Sequence, residues 1–449
     1  MIILRYIQKN NYKPLTRSLA SLSNNKSIST PSTNSYSKQH NIWNHIPLAK
    51  PDPILSIIEE FNRDGNPQKI NLSVGAYRDE SGKPFILPSI KQASKILFDQ
   101  ESDKEYTSIN GSLDYNRLVK QFLFGGFKSG KFFIEQDRIV LAQSLSGTGA
   151  LKLSGEFLKN WNFKNSNEIF IPSSTWANHY NIFKNCGLKI SQYSYIKNNS
   201  LDLTNLLKDL NQIPLKSSIL FHACCHNPTG LNPTRDEWLE ILKIVSEREL
   251  IPIVDLAYQG FESGNLQQDL YLVEMICNKI ANDEISTALI CQSFAKNMGL
   301  YGERIGSISI ITQNSNQTFN IESQLKKTIR SIYSSPSIHG SKLVEIVLSN
   351  DEIYQNWQND VAKMSSRIKK MRFELFNLLN SMDNNLNWNH LIQQNGMFCF
   401  TGLSEQQILK LKNEYSIYST LDGRFSISGI NMQNIKYLAE SINKVINST

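Results

Sequence analysis

Short apolar runs rich in Ile, Leu and Val recur through the middle of the chain, at Glu168 to Ile171, Ser218 to Ala223, Leu250 to Leu256 and Ala288 to Cys291. Runs of this length without polar alternation predict strands buried on both faces. Between some of them the apolar period lengthens to three and four residues. The clearest case is Thr234 to Glu249, where Thr234 and Glu237 make a capping-box pair and Trp238, Ile241, Leu242 and Val245 fall on one face. Another helix opens at Gly147 and Gly149 and runs to about Asn160. Buried strands alternating with amphipathic helices predict an α/β fold with a mostly parallel sheet covered by helices.

The two ends of the chain follow a different rhythm. Pro51-Asp52-Pro53 precedes a short predicted helix, Ile54 to Phe61, and Ile70 to Gly75 reads as a strand ending at glycine. Beyond Asp351, the series Met364, Ile368, Met371, Leu375 and Leu378 predicts one long helix. Short strands at Met397 to Thr401 and Arg424 to Ser428 follow, then a last helix with Ile435, Leu438, Ile442 and Val445 on one face. At 449 residues, two domains are the default expectation. The pattern predicts a leader at 1–40, an arm and part of a smaller α+β domain at 41–84, a large domain at 85–363, and the rest of the small domain at 364–449. No internal repeat is present.

Composition narrows the class. Apolar residues make up 40% and charged residues 19%, as in an ordinary globular protein, and no stretch has the uncharged apolar length of a membrane span. The formal charge of +7 invites a nucleic-acid reading, but residues 1 to 40 carry Arg5, Lys9, Lys13, Arg17, Lys26 and Lys38 and no acid. The remainder is close to neutral, so no basic patch calls for a nucleic-acid partner. The leader, with its spaced basic residues, many Ser, Thr and Asn, and first acid at Asp52, has the composition of a mitochondrial transit peptide and predicts a matrix location. The alternative is a plain Asn/Ser-rich tail. The six cysteines show no metal-ligand spacing, and the vicinal Cys224-Cys225 reads as core packing ahead of redox chemistry.

Candidate chemistry gathers where predicted strands end, because ligands of open parallel sheets bind beyond the carboxyl edge. One strand leads into Ser293-Phe294-Ala295-Lys296-Asn297, eight residues before Arg304. A lysine so placed, with a serine and an arginine nearby, can form a Schiff base with a phosphorylated aldehyde. A second strand ends at Asp255-Leu256-Ala257-Tyr258, where the acid suits a cationic ring nitrogen or a helix cap. A third leads through His222 to Asn227 and Gly230. Ser146-Gly147-Thr148-Gly149-Ala150 suits a phosphate at a helix start but lacks the lysine of a nucleotide-triphosphate loop, and a plain tight turn is the competing reading. Trp176 suits stacking on a planar ring or a place in the core. Arg424, within Asp-Gly-Arg, taken alone reads as a surface ion pair.

With these segments in order, the chain resembles the class I pyridoxal-phosphate-dependent aminotransferases of fold type I, and within them the aspartate branch. The matching motifs are Asn71 to Asp79, Leu145 to Ala150, His222 to Gly230, Asp255 to Gly264, Gln292 to Gly306, Arg330 to Gly340 and Asp422 to Gly429, and the likeness covers about residues 42 to 447. It implies pyridoxal 5'-phosphate as cofactor. Lys296 would hold it covalently and shuttle a proton, Asp255 would keep its ring nitrogen protonated, and His179 would support Asp255. Tyr258 and Asn227 would bond its phenolic oxygen, Trp176 would stack on the ring, and His222 would sit in the surrounding shell. Ser146, Gly147, Thr148, Ser293 and Arg304 would bind the phosphate, joined by Tyr106 from a second subunit.

For the substrate, the resemblance implies Arg424 on the α-carboxylate, Arg330 of the other subunit on the side-chain carboxylate, and Gly75 leaving room. No metal site is expected. The implied reaction exchanges an amino group between L-aspartate and 2-oxoglutarate, giving oxaloacetate and L-glutamate, in a homodimer. A broader specificity for kynurenine or aromatic amino acids is the enzymatic alternative, and a cofactor-binding protein without turnover is the rival of another class. Asn110, Ala295, Ser335 and extra length between Gly264 and Ile285 depart from the usual pattern without removing a catalytic group.

Overall fold

The apolar runs assemble into one seven-stranded sheet. In the computed structural model, which describes residues 43–49, 55–161, 167–382 and 386–448, its strands are β1 (Ile139–Leu145), β2 (Glu168–Pro172), β3 (Lys189–Tyr193), β4 (Ser218–His222), β5 (Ile251–Leu256), β6 (Ala288–Ser293) and β7 (Ile305–Ile311). Their order across the sheet is β1-β7-β6-β5-β4-β2-β3. β7 runs antiparallel to both its neighbours, while the β6-β5-β4-β2-β3 pairs are all parallel. β4, β5, β6 and β7 are buried at every position, as a sheet covered on both faces requires.

This topology brings chemistry to one edge. β4, β5 and β6 end side by side, with His222 opposite Asp255 and Asp255 opposite Cys291. Because β7 is reversed, it starts where they stop: Ile305 pairs with Leu145 and Gly306 with Ser293. Arg304, Ser293 and Ser146 therefore meet at the same edge although they are far apart in sequence.

The helices cover the sheet through the faces the pattern predicts. α1 (Ser146–Trp161) starts directly from β1, with Ser146 at φ +61° making the sharp turn, and buries Ala150, Leu151, Leu153 and Leu158. α2 (Asn178–Asn185) buries His179, Ile182 and Phe183. α3 (Arg235–Glu247) carries the expected capping box: Glu237 N–H donates to Thr234 Oγ1 (3.3 Å), and Thr234 N–H donates to Glu237 Oε2 (2.7 Å). α4 (Asp351–Asn380) is the long helix and buries Met364, Ile368, Met371 and Leu375. The expected boundary at residue 364 falls inside it. α5 (Ile435–Asn447) buries Ile435, Leu438, Ile442 and Val445.

The chain ends meet as well. After the helix Leu55–Arg63, Ile70–Asn71 pairs in parallel with Ile417–Tyr418, and Ser426 N–H donates to Leu72 O (2.8 Å). The strand expected over 70–75 is thus only two residues long. Asn71 Oδ1 takes the Ser73 N–H (3.0 Å) and hydroxyl (2.8 Å), which bends the chain out of the ladder. Phe398–Phe400 and Arg424–Ser426 form a short antiparallel pair. Pro51–Thr449 make one compact unit. In residues 43–49, a turn is closed by Ile46 N–H on Trp43 O (3.0 Å). The predicted leader lies outside the described residues. Among the described residues, no helix is long and apolar enough to cross a membrane.

Candidate active site

A cavity of about 220 Å³ opens at the strand edge, and most of the residues singled out from the sequence line it. Ser146, Gly147 and Thr148 come from the start of α1; Asp255 and Tyr258 from the end of β5; Ser293 and Lys296 from the end of β6; and Arg304 from the start of β7. Gly75, Trp176, Asn227 and Arg424 complete the wall. Two expected residues are elsewhere. Tyr106 is 86% exposed, and Arg330 is an exposed side chain at the end of the helix Ser315–Ile332, bonded to the Ser334 hydroxyl.

Asp255 is buried, and His179 Nε2–H donates to its Oδ2 (3.1 Å). Burial opposes ionisation of the carboxyl, but the His179 bond and the nearby positive groups outweigh it and hold the carboxyl below its ordinary range. Its Oδ1 has no partner. A buried carboxylate oxygen without a donor is costly, so the site calls for a cationic N–H in the cavity. Behind Asp255 the Thr175 hydroxyl bridges His179 Nδ1 (2.8 Å) and His222 Nε2 (2.9 Å). Burial, with His179 adding to it, pushes the His222 imidazole down to about 3, so it is neutral near pH 7. Thr175 was not singled out from the sequence. Its role depends on the β2-β4 pairing that brings residues 175 and 222 together.

Lys296 is half-buried, its Nζ 5.4 Å from the centre of the Tyr258 ring. Burial pushes its ammonium down to about 8; Asp255 opposes the shift and Arg304 adds to it. The neutral, nucleophilic amine therefore accumulates as pH rises through about 8, whereas an ordinary lysine stays protonated to roughly 10.4. In protein stripped of any cofactor, trace acetylation at pH 8 followed by peptide mass spectrometry is expected to label Lys296 faster than the exposed lysines. Equal labelling would contradict the shift.

On the other side of the cavity the Ser146 and Ser293 hydroxyls lie 2.8 Å apart. Gly147 and Thr148 sit in the first turn of α1, whose N–H groups and dipole favour an anion. Arg304, at φ +57°, is anchored by Nη1 on Tyr301 O (3.1 Å). Hydroxyls, helix-start N–H groups and a guanidinium make a cradle suited to a phosphate.

Arg424 is 4% exposed, so the surface reading of Asp-Gly-Arg is wrong: pairing of Arg424–Ser426 with Phe398–Phe400 draws the side chain inward. Its Nη2 donates to Ser73 O (2.7 Å) and its Nη1 to Asn227 Oδ1 (3.2 Å), while Nε is buried without a partner. Its guanidinium lies 4.4 Å from the centre of the Phe398 ring. Phe398 packs edge-on against Tyr258, and a Cβ at Gly75 would come within 2.8 Å of its Cζ. Phe398 thus sets the position of Arg424, Tyr258 and residue 75 together. From the sequence it reads only as part of a core strand. Trp176 is half-buried and meets His179 edge to face at 5.3 Å.

Comparison with known proteins agrees with this geometry. The family described as aminotransferase class I and II matches residues 67–442. A curated mitochondrial aspartate aminotransferase from Schizosaccharomyces pombe is 42% identical over 408 residues, 90% of this chain and 91% of that protein. Its counterpart from Dictyostelium discoideum is 42% identical over 409 residues, 91% of this chain and 94% of that one. Among solved structures, the aspartate aminotransferase from the cytoplasm of Saccharomyces cerevisiae superposes with a TM-score of 0.87 at 38% identity, covering 91% of this chain and 99% of its own. An aromatic-amino-acid aminotransferase from Burkholderia pseudomallei, covalently bound to pyridoxal phosphate, gives 0.85 at 33% identity over 90% of this chain and 99% of its own.

Proposed function

The chain belongs to the class I and II aminotransferases, and we propose that within them it transfers an amino group reversibly between L-aspartate and 2-oxoglutarate, giving oxaloacetate and L-glutamate. The observation that carries this reading is the convergence of Lys296, Asp255 and Arg424 in one cavity. Curated relatives at 42% identity bear the aspartate name, whereas structural neighbours named for aromatic amino acids stand at 32–33%.

Pyridoxal 5'-phosphate fits the residues present. Its ring nitrogen answers the unpartnered Asp255 Oδ1, its phosphate the cradle of Ser146, Gly147, Thr148, Ser293 and Arg304, and its aldehyde the amine of Lys296. When bound, it supplies an electron sink for the negative charge that develops at the substrate Cα. The rest falls to side chains of this chain. Asp255, steadied by His179, would hold the proton on the ring nitrogen. Tyr258 and Asn227 would hydrogen-bond the phenolic oxygen, and Trp176 would cover one face of the ring. Arg424 binds the α-carboxylate through its paired N–H groups and so aims the Cα–H bond at Lys296. The Lys296 amine, whose pKa near 8 makes it mostly neutral above pH 8, takes the proton from Cα and returns it on the other side of the exchange.

Among the described residues, the cavity lining has two arginines, Arg304 on the phosphate side and Arg424 on the side proposed for the α-carboxylate. A dicarboxylate needs a third. This supports a homodimer in which exposed Arg330 and Tyr106 complete the cavity of a second copy. A solution mass of a single chain would remove this part of the reading. The leader supports delivery to the mitochondrial matrix, as do the mitochondrial names of the relatives. A fusion of residues 1–40 to a fluorescent protein that stayed in the cytosol would count against it.

A coupled assay tests the whole proposal. Aspartate with 2-oxoglutarate is expected to yield oxaloacetate with kcat/KM at least about 100-fold above that for phenylalanine or kynurenine, since a site built to bond a polar group rejects analogues lacking it. Conversion of the aromatic substrates at equal efficiency would overturn the aspartate assignment.

A further inference from the structure

We infer a second binding site, for a divalent cation of the zinc class, formed by Cys224, Cys225 and Glu262. It lies outside the cavity described above; the binding itself stands apart from the transaminase reading, while its effect on turnover rests on that reading. The two sulfurs and a Glu262 carboxylate oxygen lie within 4.8 Å of one another, the only cluster of three such donors among the described residues. Adjacent residues of a strand point to opposite faces, so a Cys-Cys pair carries no metal-ligand pattern in sequence. Here the strand has ended at His222, and Cys225 adopts φ +49°. That left-handed turn brings its sulfur within 4.8 Å of that of Cys224, and its thiol donates to Tyr258 O (4.0 Å).

The cluster is supported from outside as metal sites are. Asn232 Nδ2 donates to Glu262 Oε2 (2.8 Å) and orients the carboxylate. Asp269 holds the loop that carries it, accepting the N–H groups of Gly260 (2.7 Å), Glu262 (3.0 Å) and Ser263 (3.0 Å). Both cysteines are buried, while Glu262 is half-buried. Tetrahedral zinc, with bonds of about 2.3 Å to sulfur and about 2.1 Å to oxygen, needs donors roughly 3.5–3.8 Å apart. Donors now within 4.8 Å of one another need to close by no more than about an ångström to reach that spacing. On binding, two thiol protons leave to solvent, the carboxylate binds as the anion, and water fills the fourth position. Affinity therefore falls as pH falls.

The site acts on the enzyme through the chain. Cys225 lies two residues before Asn227, whose Oδ1 holds Arg424. Drawing residues 224 and 225 onto a cation shifts Asn227, so occupancy lowers turnover without filling the substrate cavity.

The test uses the intact holoenzyme with Cd²⁺ as a spectroscopic stand-in. A cadmium–thiolate charge-transfer band is expected to saturate at one equivalent per chain, to be displaced by Zn²⁺, and to vanish in Cys225→Ala. Glu262→Gln keeps the size and the acceptor for Asn232, so folding is preserved even if a cysteine variant fails. It is expected to weaken binding at least about tenfold and to relieve inhibition by Zn²⁺ to the same extent. Absence of the band, or equal affinity in Glu262→Gln, overturns the site.

Discussion

Lys296→Ala is expected to lower kcat by at least about 10⁴-fold and to leave the fold intact. The magnitude is the upper range for a positioned proton-transfer group, and nothing else in the cavity can take over. Tyr258 is the nearest candidate, but burial pushes its phenol up and keeps it protonated. Asp255 is committed to His179 on one oxygen, and the other, unpartnered, would be taken by the ring nitrogen of the proposed cofactor. The fold survives because the substitution removes a desolvated ammonium, not a packing residue. Below pH 8 that ammonium is charged in the folded protein against the cost of burial, and the cost is relieved as pH rises from about 8 towards the unfolded value. The cofactor-free variant should therefore melt no lower than the cofactor-free wild type near pH 7. Steady-state turnover and thermal melting measured together decide the matter. Turnover within tenfold of wild type would remove Lys296 from the chemistry, and a collapsed melt would make the lysine structural.

How far the sequence could be read depended on whether a residue's environment was local. β2, β4, β5 and β6 were legible because they are continuous apolar runs. β1 and β7 were not, since Gln143 and Ser144 interrupt one and Ser307 and Ser309 alternate with isoleucine in the other. Alternation ordinarily marks a half-exposed strand, yet all of β7 is buried. Its reversal, which puts Arg304 beside Ser146 and Ser293, has no signal in periodicity. In the site, Lys296 and Asp255 announce themselves as charges at the ends of apolar runs, where burial makes an unpaired charge conspicuous. Thr175 and Phe398 do not, because their significance lies in what long-range pairing sets beside them: two histidines in one case, and Arg424, Tyr258 and Gly75 in the other. The Cys224-Cys225-Glu262 cluster is hidden for a related reason, since it depends on one left-handed residue.

Arg424→Ala is expected to lower kcat/KM for aspartate by roughly 10³-fold, the effect of removing one partner of a buried, hydrogen-bonded charge pair. The side chain has a rigid frame: Ser73 O and Asn227 Oδ1 hold its two terminal nitrogens, Phe398 supports its plane, and Nε is left with a buried proton and no acceptor. A substrate carboxylate bound as proposed would supply that acceptor. The guanidinium is therefore arranged before substrate arrives, and little ordering cost remains to be met on binding. Arg424→Lys separates charge from geometry. An ammonium retains the positive charge but cannot offer two parallel N–H bonds, so the lysine variant should recover less than about a tenth of the lost efficiency. The pattern across substrates identifies which carboxylate is bound. If Arg424 grips the α-carboxylate, the loss is equal for aspartate and for a slow substrate such as phenylalanine, which share that group. A loss confined to aspartate would instead assign Arg424 to the side-chain carboxylate. It would also exchange the roles proposed for the two arginines, leaving the α-carboxylate to Arg330 of a second subunit.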